Sequence, residues 1–152
     1  MLKYLPMDSS SIINLVKSLS LPQDKFIVVG SGIMTMHGLK DAHDIDLVVS
    51  PEILKSYSKK TDWETKYYAY PEEIGKTYLQ NSDLEMYLDV NYGNFNPTLD
   101  ELLGRAEYFD DIPFISLEDL IKFKTEYNRP KDHIDIQKIK TYLHRGESDL
   151  EI

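Results

Sequence analysis

The segment KFIVVGSGIMTMHGLKDAHDIDLVVS, residues 25–50, constrains the fold more than any other part of the chain. Its apolar run Phe26–Val29 has the character of a strand buried on both faces. The turn Gly30-Ser31-Gly32 permits a tight exit into a helix. Twelve residues, Gly32 to His43, then lead to a second apolar run headed by two aspartates, Asp44-Ile45-Asp46-Leu47-Val48-Val49. A strand, a glycine turn, a short helix and a second strand imply an α/β architecture. Residues i and i+2 of a strand share a face, so Asp44 and Asp46 are expected side by side, about 6 to 7 Å apart along the backbone. Two ionised carboxylates at that spacing repel by about 2 to 3 kcal/mol at an effective dielectric of ~20. A hard divalent cation such as Mg²⁺ removes that penalty, because it takes oxygen ligands and binds carboxylates together with substrate phosphates. Gly30, Ser31 and Gly32 supply the complement. Glycines let the backbone approach a phosphate, and a helix starting at Gly32 turns free N–H groups toward the anion. Either half alone is more often a plain turn or a solvated strand end; the order and spacing of the two together point to a metal-and-phosphate site.

That pattern, hydrophobic, Gly-Ser, spacer, Asp-hydrophobic-Asp-hydrophobic, resembles the signature of the nucleotidyltransferase superfamily of the DNA polymerase β type. The resemblance covers most of residues 10–145. It implies a mixed β-sheet flanked by helices, an α/β (α+β) fold, in a single domain over 1–152. It also implies transfer of a nucleoside monophosphate from a nucleoside triphosphate to an acceptor hydroxyl, with release of pyrophosphate and dependence on Mg²⁺ or Mn²⁺. Asp44 and Asp46 become catalytic metal ligands, and a third carboxylate is expected on an adjacent strand. The stretches Lys76–Leu79 and Leu84–Asn91 flank the turn Asn81-Ser82-Asp83 and read as a β-hairpin. Its second strand alternates Leu84, Met86, Leu88 and Val90 with Glu85, Tyr87 and Asp89. Leu88-Asp89-Val90 matches the superfamily's hydrophobic-acid-hydrophobic setting, so Asp89 is expected as the third catalytic and metal-binding residue, with Glu85 in reserve on the same face. The segment ISLEDLIKFKTEYNRPKDHIDI is similar to the closing portion of small bacterial members, which makes Lys124 and Lys131 candidate phosphate contacts beside Ser31 and the turn's amides.

The formal net charge is −9, which argues against an extended nucleic-acid interface. Charge is nonetheless uneven: residues 116–145 carry seven Lys/Arg against five acids, while the remainder carries ten against twenty-one. Counter-charge for a triphosphate would come from the metal and from that C-terminal portion. No apolar run approaches the ~18 to 20 residues of a membrane span, the first residues lack the layout of a signal peptide, and there are no cysteines. A cytoplasmic, membrane-free protein is the expectation. The acceptor stays open among a small molecule such as an antibiotic, a tRNA end and a protein side chain, as in the toxins of some toxin–antitoxin pairs. A homodimer or a helical partner protein fits equally. Three rival readings stand beside the enzyme: a non-catalytic binding or regulatory member of the same fold, a metal-dependent sugar transferase, which usually needs a longer chain, and a plain scaffold.

The flanking elements follow from caps and periodicity. Helices are expected from Ser9 or Ser10 to Leu19 behind Asp8, from Ile33 to His37, from Pro51 to Tyr57 behind Ser50, and from Thr98 to Arg105. Two more run from Leu117 to Tyr127, where Ser116 and Asp119 resemble a capping box weakened by the shorter reach of Asp than Glu, and from Pro130 to Arg145, ending at Gly146. A strand is expected at Ile112–Ile115. Residues 61–70 read as strand or loop, with Tyr67, Tyr68 and Tyr70 offered as stacking partners for a base or, more commonly, as core. His37 and His43 are expected in surface or loop roles.

Overall fold

The computed structural model describes residues 6–68 and 76–150, except for the side chains of 146–150. Its element order is α1 (Ser9–Lys17), β1 (Phe26–Val29), α2 (Gly32–Met36), β2 (Ile45–Val49), α3 (Pro51–Ser58), β3 (Glu64–Tyr67), β4 (Thr77–Asn81), β5 (Leu84–Tyr87), α4 (Leu99–Gly104), β6 (Glu107–Phe109), β7 (Ile112–Phe114), α5 (Leu117–Tyr127) and α6 (Pro130–Leu150). Among the described residues the strands form one mixed sheet in the order β3-β4-β5-β2-β1-β7-β6. The β2–β5 and β1–β7 pairs are parallel and the other neighbours antiparallel. The fold is therefore the expected mixed α/β sheet flanked by helices.

The centre of the sheet explains its apolar sequence. Phe26 to Val29 are all buried, as are Ile45, Leu47, Val48 and Val49. Ile12, Ile13 and Val16 of α1, Leu120 of α5 and Ile139 of α6 join the same core. Truncating a fully buried leucine such as Leu47 costs about 2 to 5 kcal/mol in cores of this kind.

Local chemistry sets the helix starts. The carboxylate of Asp8 accepts from the Ser11 amide at 2.9 Å, the Ser50 hydroxyl accepts from the Ile53 amide at 3.3 Å, and Thr98 and Glu101 form a reciprocal capping box. Ser116 caps α5 through the Asp119 amide at 3.0 Å, but the return half of the expected box is absent: the Asp119 carboxylate instead accepts from Arg105 Nε at 2.8 Å. Aspartate is one methylene short of the reach that glutamate uses at this position. The last helix continues through Gly146 to Leu150, and a strand not read from the sequence, β6, pairs with β7. Residues 64–67 of the ambiguous aromatic segment form the edge strand β3. Among the described residues no helix is long and apolar enough to cross a membrane.

Candidate metal and phosphate site

Sheet register builds the site. On one face, pairing carries a row across the sheet from Glu64 through Gln80, Glu85 and Asp46 to Val29. Asp44 lies one residue ahead of β2, and the Ile45 amide donates to the Asp83 carbonyl at 2.8 Å, tying that strand start to the β4–β5 turn. The outcome is a cluster in which Asp44, Asp46 and Glu85 each offer a carboxylate oxygen within 4.8 Å of the others. Ligands of a Mg²⁺ ion at about 2.1 Å stand about 3 to 4 Å apart, so a contraction of about 1 Å gathers all three.

The electrostatics match that use. Burial pushes the Asp46 carboxyl well above the usual carboxylate range, reinforced by the charges of Asp44 and Glu85. Burial also raises Glu85, with Asp44 adding to it. Asp46 Oδ1 is sealed from solvent and has no hydrogen-bond partner among the described residues. A buried acceptor left unpaired is costly, and a bound cation would supply what it lacks.

The β1–α2 turn closes one side. Gly30 has φ +68°, and a Cβ placed there would lie 2.8 Å from Asp46 Oδ2. Glycine is thus required both by the backbone and by the carboxylate beside it. Ser31 precedes α2, and its side chain makes no capping bond; α2 begins at Gly32, one residue ahead of the expected Ile33. Glycine turn and acids therefore meet in space, as their spacing suggested.

The other candidates fare differently. Asp89 is not in the cluster. Strand β5 stops at Tyr87, and Asp89 Oδ1 accepts from its own chain at Asn91 N, 3.0 Å, and from Lys76 Nζ, 3.1 Å. Aspartate's habit of bonding the backbone two residues on ends the strand there, and Glu85, not Asp89, lies with Asp44 and Asp46. Lys124 is buried, and its ammonium is held by Asp132 at 3.2 Å and Asp135 at 3.0 Å rather than offered to a phosphate. Lys131 is exposed on the first turn of α6. Tyr67 is 72% exposed, Tyr68 packs edge-on against Tyr78 and Tyr87, and Tyr70 lies outside the described residues. His43 is exposed, whereas His37 bridges Tyr142 and Glu107 at 2.9 and 2.7 Å and joins α2 to α6 and β6.

Two groups escaped the sequence reading. Tyr87 donates its hydroxyl hydrogen to Glu85 Oε1 at 3.1 Å. Lys40, in the loop leading to Asp44, reaches Asp135 of α6 at 3.2 Å. The strict alternation of LEMY could have flagged Tyr87; nothing local pairs Lys40 with a residue 95 positions away.

Compared with protein families, curated proteins and solved structures, the chain finds no match. Its chemistry has to be argued from the site.

Proposed function

We propose that this protein is a Mg²⁺- or Mn²⁺-dependent nucleotidyltransferase. The observation that carries the reading is the convergence of Asp44, Asp46 and Glu85 from β2 and β5 against the Gly30 turn, with one sealed carboxylate oxygen unpartnered. Asp44, Asp46 and Glu85 are the residues that would hold the metal. A divalent cation bound there supplies charge neutralisation on phosphoryl oxygens. The Gly30–Gly32 turn would receive the phosphates, with the Ser31 hydroxyl, which makes no capping bond, donating to them. The acceptor hydroxyl attacks the α-phosphorus. An oxygen–phosphorus bond forms, the α–β anhydride bond breaks, pyrophosphate departs, and the hydroxyl proton passes to the carboxylate cluster. Glu85, on the neighbouring strand, takes the part first expected of Asp89.

Calorimetry tests the proposal directly. Triphosphate binding should require Mg²⁺ or Mn²⁺ and weaken at least about 100-fold in Asp44→Asn/Asp46→Asn while the fold persists by circular dichroism. Equal affinity in EDTA, or in the double variant, would sink it. Mass spectrometry of candidate acceptors incubated with each triphosphate then identifies the acceptor.

A further inference from the structure

We infer that Tyr87 is the positioning residue of the carboxylate cluster, holding Glu85 in the pose that faces Asp44 and Asp46. The inference rests on the metal-site reading above and deepens it.

Glu85 is the longest of the three acids and has one more rotatable bond than either aspartate. The Asp46 carboxylate lies against Gly30, and Glu85 is half-buried on β5. Tyr87 sits two residues on, hence on the same face, and its hydroxyl donates to Glu85 Oε1 at 3.1 Å. A carboxylate accepting one such bond keeps lone pairs for an ion.

The phenol is itself held. Its ring stacks on Tyr78 with centroids 4.8 Å apart and planes 17° apart, and the Tyr68 ring meets both edge-on at 5.7 and 5.8 Å. Lys66 pairs with Tyr78 in the β3–β4 register, and Val48 pairs with Tyr87 in the β2–β5 register. A row of Lys66, Tyr78, Tyr87 and Val48 thus runs parallel to the row that carries Gln80, Glu85 and Asp46. The aromatic row fixes the hydroxyl, and the hydroxyl fixes the acid. Outer groups bonded to metal-ligating carboxylates commonly govern affinity by about 10- to 100-fold.

The test is Mn²⁺ binding, read from the electron paramagnetic resonance signal of free Mn²⁺, in the whole protein. Tyr87→Phe removes the hydroxyl and keeps the ring; Tyr78→Phe is the matched control in the same stack. Tyr87→Phe should weaken Mn²⁺ about 10-fold at an unchanged melting temperature, Tyr78→Phe should stay within 2-fold, and the Tyr87→Phe effect should vanish in a Glu85→Gln background. Unchanged affinity in Tyr87→Phe overturns the inference. So does an equal loss in both phenylalanine variants, which would assign the effect to the stack, or a loss that persists without Glu85. If the wild-type protein binds no Mn²⁺, the metal-site reading fails first and takes this inference with it. If Glu85→Gln alone weakens Mn²⁺ while Tyr87→Phe does not, only the present inference falls.

Discussion

Two clusters of acids among the described residues, one at the sheet and one between α5 and α6, have opposite electrostatics. At the sheet, burial raises both Asp46 and Glu85, with the charges of Asp44 and Glu85 adding to it at Asp46 and that of Asp44 at Glu85. Between α5 and α6, burial alone would raise Asp132 and Asp135 too, but the outcome is reversed. Hydrogen bonds from Arg129 and the charge of Lys124 outweigh burial at Asp132, and Lys124 with Lys40 does so at Asp135, holding both below the usual range. The α5–α6 acids are matched internally and act as a clamp joining two helices and the loop ahead of Asp44. The sheet acids are left short of positive charge, a state that costs stability unless something from outside supplies it.

The largest expected effect breaks the matched side. Lys124→Met should destabilise the fold by about 3 to 5 kcal/mol in urea unfolding, because two buried carboxylates lose their shared cation. A loss under 1 kcal/mol would mean that Asp132 and Asp135 are not dependent on it.

Next comes the choice of third acid. Glu85→Gln should lower turnover by about 100-fold once an acceptor is known, whereas Asp89→Asn, whose carboxylate serves Lys76 and Asn91, should change it only a few-fold. The reverse ranking would restore Asp89 to the reaction and remove Glu85 from it.

The pH dependence sharpens the comparison with a smaller signal. Asp46 and Glu85 hold protons more tightly when folded, so in EDTA their contribution is full at low pH and declines as pH rises from the ordinary carboxylate range of about 4 toward their raised values. Asp132 and Asp135 contribute above that range and lose their contribution as pH falls through their lowered values. Metal-free stability should therefore peak near the ordinary carboxylate range. Asp46→Asn should flatten the upper limb and raise the neutral-pH melting temperature in EDTA, and Mg²⁺ should do the same for the wild-type protein. A melting temperature lowered by Asp46→Asn in EDTA would contradict the unmatched-charge account.

The smallest effect is at Lys131. Exposed on the first turn of α6, Lys131→Ala should shift stability by no more than about 0.5 kcal/mol, and triphosphate affinity should hold within 2-fold. A tenfold loss of affinity would return it to the phosphate site.

What the sequence alone determined was local or periodic. The FIVV and IDLVV runs declared buried strands, Asp8, Ser50 and Thr98 declared helix starts, and the strand order implied that the glycine turn and Asp46 lie close together. Each rests on interactions within a few residues or on a face set by strand geometry. The tertiary structure decided what depends on where pairing stops and which distant elements meet. Alternation put both Glu85 and Asp89 on the acid face; only the termination of β5 at Tyr87, enforced by Asp89 bonding its own backbone and Lys76, selected Glu85. Lys124 reads as a candidate phosphate contact until α5 and α6 pack and bury it between Asp132 and Asp135. Strand termination and charge pairing across long separations are properties of the assembled sheet and helix pair, because the energy of each depends on burial that a linear pattern does not specify.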